Sequence, residues 1–310
     1  MIVSKSISWY LASAFSSGFS SAFVTFSAFI SFSAFADGTT LTIIKHDADV
    51  GATQKKLKSI SEVAATAVGK KPLILAAEDT QKLVQAIQKK EADLLIDSVF
   101  SVFALDPKTH FAPTMTYWKK GKEAYSGCIF VKSDSSIKSL KDLAGKKIAA
   151  DDRVSTSTFA LPAALILQDN PKVKFATSKT KSLAEAKAMA VAADSVGFLF
   201  TGDDETAVAW MTNGTADAAT GICDDAKKLG AKVRIIAESP IVPRYVVAFA
   251  PYFPESDRKK IEAAFAKLTA DSPALKDYEK ASKVEMMKPE HKAAIEKMKP
   301  LFEKLAVMVK

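Results

Sequence analysis

Beyond residue 36 the chain alternates short aliphatic or β-branched runs with longer stretches whose apolar residues recur at helical spacing. Residues 40–45 read as a strand, 55–68 as an amphipathic helix, 72–76 as a strand, 80–90 as a helix and 92–96 as a strand. Residues 106–122 are loop-rich and 125–132 form a longer strand. A second series follows, with strands at 147–150, 173–177, 195–200, 216–222 and 233–238 and helices at 159–167, 183–193 and 206–213. Strands alternating with helices of these lengths predict right-handed βαβ units, and two such series predict an α/β protein of two lobes. Ser239-Pro240-Ile241-Val242-Pro243 is a stiff extended connector, followed by a strand at 245–250 and Lys-rich helices. Crossings near 133–139 and 239–243 predict a clamshell with a cleft between its lobes. Lobe 1 is residues 37–138 plus 243–310, and lobe 2 is 139–242.

The first 36 residues differ in kind: Lys5 is their only charge, phenylalanines recur from Phe15 to Phe32, and Ala34-Phe35-Ala36 precedes Asp37. This pattern predicts a secretory signal with an A-x-A cleavage site, hence a periplasmic protein; an uncleaved N-terminal anchor is the alternative. Losing Lys5 lowers the formal net charge from +8 to +7. That charge is carried by lysines, with Arg153, Arg234, Arg244 and Arg258 the only arginines. Dispersed lysines mark solvated faces rather than a nucleic-acid surface, although their summed field favours an anionic ligand. Cys128 and Cys223 lie far apart on strand-like segments; the expectation is two buried thiols, with a bridge as the alternative in an oxidising compartment.

Candidate chemistry concentrates at 151–167. The strand at 147–150 runs into Asp151-Asp152-Arg153-Val154 and then Ser155, Thr156, Ser157 and Thr158, just where an apolar helical run begins. Hydroxyls at a helix start act as N-caps, and the first backbone N–H groups of a helix lack internal partners and carry the positive end of its dipole. A small oxyanion fits there. The alternative is that Ser155 or Ser157 only caps the helix.

Five segments in order carry a resemblance: EADLLI at 91–96, SDSSIKSLKDLAGKK at 133–147, STSTFALP at 155–162, NGTADAA at 213–219 and ESPIVP at 238–243. Together they resemble the phosphate/phosphite/phosphonate-binding proteins of ABC importers. The resemblance implies the type II periplasmic-binding-protein fold, a small oxyanion ligand, an ABC permease as membrane partner, a monomeric receptor and no catalysis. Three positions depart from the family pattern. Thr158 stands where glycine is common, Val102 where a ligand-facing tyrosine is frequent, and Asp203-Asp204-Glu205 where a histidine is often found. Carboxylates beside a dianion cost Coulomb energy, so Asp204 is expected to select among ligands or to take a cationic end.

Other candidates are weaker. Asp97 and Ser98 end a strand where ligands gather in open α/β sheets. Ser98 would donate from the first lobe and Asp97 would orient a donor or select an ammonium; a helix cap and a solvated acid are the alternative. Asp224 follows a strand in the same way and would face the cleft or cap a helix. His46, His110 and His291 are scattered without metal-ligand spacing, so no metal or cofactor is expected. Ser155 lacks a nucleophile elbow, which argues against a serine hydrolase. A ligand-sensing module coupled to a membrane signalling protein, or an exported enzyme using the acidic pairs, are the other function classes.

Overall fold

The computed structural model describes residues 38–309 except 48, 107–110, 120 and 181. The leader-like segment 1–36 and His110 lie outside the described residues. In the first lobe β1 (Thr40–His46), α1 (Val50–Ala67), β2 (Lys71–Ala77), α2 (Thr80–Gln88), β3 (Leu94–Asp97), α3 (Val99–Leu105) and β4 (Ala112–Lys119) follow in turn. The chain crosses through β5 (Ala124–Tyr125) into the second lobe. That lobe comprises β6 (Gly127–Lys132), β7 (Lys147–Ala150), α4 (Leu161–Asp169), β8 (Lys174–Lys179), α5 (Leu183–Ala188), β9 (Ser195–Phe200), α6 (Asp204–Thr212), β10 (Ala218–Ile222), α7 (Cys223–Lys228) and β11 (Val233–Glu238). It returns through β12 (Val242–Pro243) to β13 (Tyr245–Phe249), α8 (Glu255–Ala266), α9 (Pro273–Asp277), β14 (Ala281–Met286) and α10 (Pro289–Ala306).

Among the described residues there are two six-stranded sheets, ordered β14-β4-β13-β3-β1-β2 and β11-β6-β10-β7-β9-β8, and the two crossings pair with each other as the ribbon β12-β5. β1 runs parallel to β2 and β3, with Ile43 opposite both Ile74 and Leu94. In the second sheet β7 runs parallel to β9 and β10. Parallel strands place their carboxyl ends at one edge, so the residues after β1, β3, β7 and β9 face one another where ligands bind in such sheets.

The local reasons for these elements are ordinary ones. In α1 the Asp49 carboxylate accepts from Ala52 N at 2.9 Å, and Thr53, Leu57, Ile60 and Ala64 form the buried stripe. Gly69, at φ 68°, ends the run. Aromatic contacts bind the lobes together: Phe302 of α10 meets Phe100 of α3 at 5.5 Å, Phe100 meets Phe159 at 6.0 Å, and Phe159 meets Phe198 at 5.1 Å. Among the described residues no helix is long and apolar enough to cross a membrane.

The structure differs from the sequence expectation at four points. β6 belongs to the second sheet, paired antiparallel with β10 and β11, so the outward crossing lies at 124–126 rather than 133–139, and residues 127–138 leave the first lobe. The 133–139 segment is instead fastened to lobe 2: Arg234 donates to the carbonyls of Ser133, Ser135 and Ile137 at 2.7–2.8 Å. Residues 112–119, expected as loop, are a strand inside the first sheet, and Pro113 sits at a register shift where its missing N–H does no harm. The Lys-rich tail contains an edge strand, β14, whose buried Ala281 and Val284 lie among charged neighbours. Finally, Cys128 and Cys223 are bridged rather than free, with Cα atoms 5.0 Å apart. Cys128 faces Gly221 across the β6–β10 pair, and the first turn of α7 swings Cys223 back over it.

Candidate functional site

The hydroxyl run leaves β7 and opens a helix that starts earlier than its apolar pattern suggests. Residues 156–160 form one wide turn, with Ala160 N donating to Ser155 O at 3.0 Å, before α4 continues with Pro162 near its start. Ser155 is the cap, its Oγ accepting from Thr158 N at 3.3 Å. Gly127 makes the close approach possible: a Cβ there would lie 2.8 Å from the carbonyl oxygen of Ser157. The turn therefore rests directly on the outward crossing.

Thr156 is fully buried and its Oγ1 accepts from Phe100 N at 2.8 Å, joining the head of the lobe 2 helix to the head of α3 in lobe 1. That bond uses the oxygen as acceptor and leaves the hydroxyl proton to donate. Thr158, also buried, has no partner for its hydroxyl among the described residues, while its carbonyl accepts from Thr220 at 2.5 Å. Ser157 is half-buried beside the Tyr125 phenol, which burial and Tyr245 push upward in pKa against the opposing pull of Thr156, Arg244 and Ser157. Tyr125 belongs to the crossing ribbon, so both lobes and their connection meet at one place.

From lobe 1, Asp97 is buried and committed internally. Its carboxylate accepts from Lys45 Nζ at 3.4 Å, His46 N at 3.1 Å and Ser98 N at 2.6 Å. Its cationic partner Lys45 also stands 5.3 Å over the Tyr245 ring. Ser98 occupies the cap position of α3 without capping it and shares a 3.1 Å hydrogen bond with Ser101 Oγ. Val102 is buried among apolar side chains of α3 and α10.

The acidic residues gather around Asp151, just ahead of the hydroxyl run. Burial, and then the carboxylates of Asp204, Asp152, Asp203 and Asp47, push the Asp151 carboxyl up to about 7. Asp47 follows β1 in lobe 1, so this cluster spans the cleft. Asp203 caps α6, accepting from Thr206 N at 2.7 Å, and Asp204 is the first residue of that helix. Asp224 is not brought to either group: it is exposed at the head of α7, where the Lys122 ammonium pairs with it and lowers its pKa. His46 Nε2 donates to Glu78 O at 3.0 Å. Tyr117 and Trp118, in the stretch that reads as loop-rich, lie on β4; Tyr117 is core, and Trp118 donates to Glu285 at 2.8 Å.

Sequence reasoning did not single out Lys45, Tyr125 or Arg244, which the structure brings near the candidate residues; Asp47 and Asp151 were visible, but not their proximity. Arg244 had a visible signal: it is one of four arginines in a Lys-dominated chain and it follows Pro243 at the end of the connector.

Over residues 65–292 the chain matches the family described as "ABC transporter, phosphonate, periplasmic substrate-binding protein". No curated protein matches it in sequence. Among solved structures it is similar to XAC2383 from Xanthomonas citri bound to ATP (TM-score 0.73, 18% identity, 88% of this chain and 100% of that one). It is also similar to PhnD1 from Prochlorococcus marinus in complex with methylphosphonate (TM-score 0.56, 13% identity, 84% of this chain and 97% of that one). A binding-protein component of an ABC phosphonate transporter from Pseudomonas aeruginosa aligns with TM-score 0.57 at 13% identity, over 87% of this chain and 89% of that one. At these identities the likenesses speak to the fold, which is that of type II periplasmic binding proteins. The match over residues 65–292 is sufficient on its own: the chain belongs to the periplasmic phosphonate substrate-binding proteins of ABC transporters.

Proposed function

We propose that this protein is a non-catalytic periplasmic receptor that closes around a phosphonate-, phosphite- or phosphate-like oxyanion and presents it to an inner-membrane ABC permease. One observation carries the reading: Thr156 joins the heads of two helices from opposite lobes, and Ser155, Ser157 and Thr158 flank that junction. Ser98 lies at the same head of α3 from the other side. Donors fixed at helix starts suit a compact anion, and desolvation between lobes strengthens each charge-assisted hydrogen bond. Asp204 and its neighbours, which act on the Asp151 carboxyl just ahead of the hydroxyl run, would take the cationic end of a zwitterionic ligand such as an aminophosphonate and disfavour highly charged anions.

The test is thermal unfolding of the purified protein against inorganic phosphate, phosphite, methylphosphonate and 2-aminoethylphosphonate. A ligand at a hundred times its dissociation constant adds about 2.7 kcal/mol of stability. Ser157→Ala is expected to weaken binding by about 1.5–3 kcal/mol with stability unchanged. Ser155→Ala is expected to cost about 1 kcal/mol of stability through the lost cap. If no anion shifts the transition, or if Ser157→Ala binds like the parent, the receptor reading of this site fails.

A further inference from the structure

Arg244 is the one arginine of the hinge, and its surroundings differ from those of Arg234 and Arg258. Arg234 donates to three carbonyls, and Arg258 pairs with Glu255 and Glu262. Arg244 is 7% exposed and makes no ion pair among the described residues; its Nε has no hydrogen-bond partner, as is also true of Arg234 and Arg258, but unlike theirs its terminal nitrogens have no carbonyl or carboxylate partner either. Only its backbone is fastened, with its N donating to Glu123 O at 2.9 Å. The guanidinium stands 5.3 Å from the centroid of the Tyr125 ring. A cation–π contact offsets part of the dehydration of a guanidinium, but a buried charge without a counter-ion is a costly arrangement to retain. Among the described residues no carboxylate pairs with it, although Glu279, Asp97 and Asp47 act with it on the neighbouring Tyr245.

Position says where it would come from. Arg244 joins the return crossing β12 to β13, opposite the outward crossing that carries Tyr125. The other end of Tyr125 lies against Thr156 and Ser157. Gly127, two residues on, lets the carbonyl of Ser157 come down onto the start of β6. One phenol ring thus separates the unpaired guanidinium from the hydroxyl run, and the buried, unpartnered hydroxyl of Thr158 belongs to that same turn.

We propose that Arg244 is the fixed counter-charge for the bound oxyanion, held at the hinge on the Tyr125 ring, with the Ser155–Thr158 hydroxyls as the opposing donors. This rests on the oxyanion reading above and deepens it. A planar fork of donors selects a tetrahedral or planar oxyanion with two free oxygens and rejects neutral or monodentate ligands. Placement on the crossing also couples charge recognition to closure: the anion neutralises a hinge residue that the empty protein leaves unpaired.

The test compares the parent with Arg244→Met and Arg244→Lys by calorimetry and thermal unfolding, using methylphosphonate, inorganic phosphate and chloride. Arg244→Met is expected to bind methylphosphonate and phosphate at least about tenfold more weakly. Its ligand-free melting temperature is expected to be equal to or above that of the parent, because an unpaired buried charge has been removed; a structural arginine would lower it. Arg244→Lys keeps the charge and loses the fork, so it should fold and bind with intermediate affinity; it carries the test should the Met variant not fold. Parent-like affinity in whichever variant folds overturns the assignment of Arg244 while leaving the receptor reading intact. A ligand-free Met variant that melts well below the parent also overturns it, in favour of a structural role. If the parent itself responds to neither methylphosphonate nor phosphate, the oxyanion reading fails and this inference with it.

Discussion

Reducing the Cys128–Cys223 bridge is expected to lower the stability of the protein by about 4–5 kcal/mol. The bridge closes a segment with a sequence separation of 95, and the loop-closure relation for a loop of that size gives about 4.7 kcal/mol at room temperature. The effect acts mainly on the unfolded chain, which regains the freedom that the crosslink removed. Both partners are anchored in the folded state: Cys128 lies in β6 between β10 and β11, and Cys223 opens α7 with its side chain buried. The native sheet therefore holds the two sulfurs together even when they are reduced. Urea unfolding of the oxidised and reduced protein should show the midpoint falling on reduction, with the denaturant slope unchanged or steeper because the opened chain exposes more surface. Identical midpoints, with two free thiols titrated in the reduced sample, would refute the argument. Folded, reduced protein should retain its ligand affinity, since the bridge lies on β6 and α7, away from the proposed anion-binding hydroxyls at 155–158.

Much of the fold can be read along the chain, because periodicity is a local property. Strand and helix alternate on either side of the hinge as their apolar spacing predicts, and the hydroxyl run does begin a helix. What escaped depends on pairing between distant segments. β6 reads as a strand in isolation, but its lobe is decided by β10 and β11, some 90 or more residues later. Pro113 disguised β4, since a proline argues against a central strand unless a register shift absorbs it. Lys283 and Glu285 disguised β14, an edge strand whose buried residues Ala281 and Val284 lie three apart across a register shift rather than in strict alternation. The site shows the same division. Ser155 to Thr158 were legible as consecutive hydroxyls, whereas the isolation of Arg244 is a negative property, visible only when every neighbouring carboxylate has been located. Asp97 was legible as a strand-end acid, but its commitment to Lys45 requires the register of β1 against β3. The acidic residues were individually visible in the sequence; that Asp47 from lobe 1 reaches Asp151 in lobe 2 was not.

Asp151→Asn is expected to stabilise the ligand-free protein by an amount that grows with pH. In the folded state burial and the surrounding carboxylates hold the Asp151 carboxyl at about 7, against 3.8 for the ordinary group. Between those two values the unfolded chain has given up its proton while the folded protein still keeps it. The native state then binds more protons than the unfolded one, so stability falls as pH rises through this window and is flat above it. Three pKa units at 1.36 kcal/mol each correspond to a loss on the order of 4 kcal/mol between about pH 4 and pH 7. Asparagine keeps the shape and carries no charge, so its advantage should be small near pH 4 and reach its plateau above pH 7. Melting temperatures of parent and variant across pH 4–8 test this, and parallel profiles would dispose of it. The same linkage reaches binding. A ligand whose ammonium end sits among Asp47, Asp151 and Asp204 would stabilise the ionised carboxylate and drive proton release. Affinity for 2-aminoethylphosphonate should then rise with pH up to about 7, whereas affinity for methylphosphonate, which lacks the ammonium, should not. Calorimetry in two buffers of different ionisation enthalpy separates the cases: proton release with the amine ligand and none in the Asp151→Asn variant is the expected pattern. Equal proton uptake or release by both ligands would place the cationic end elsewhere.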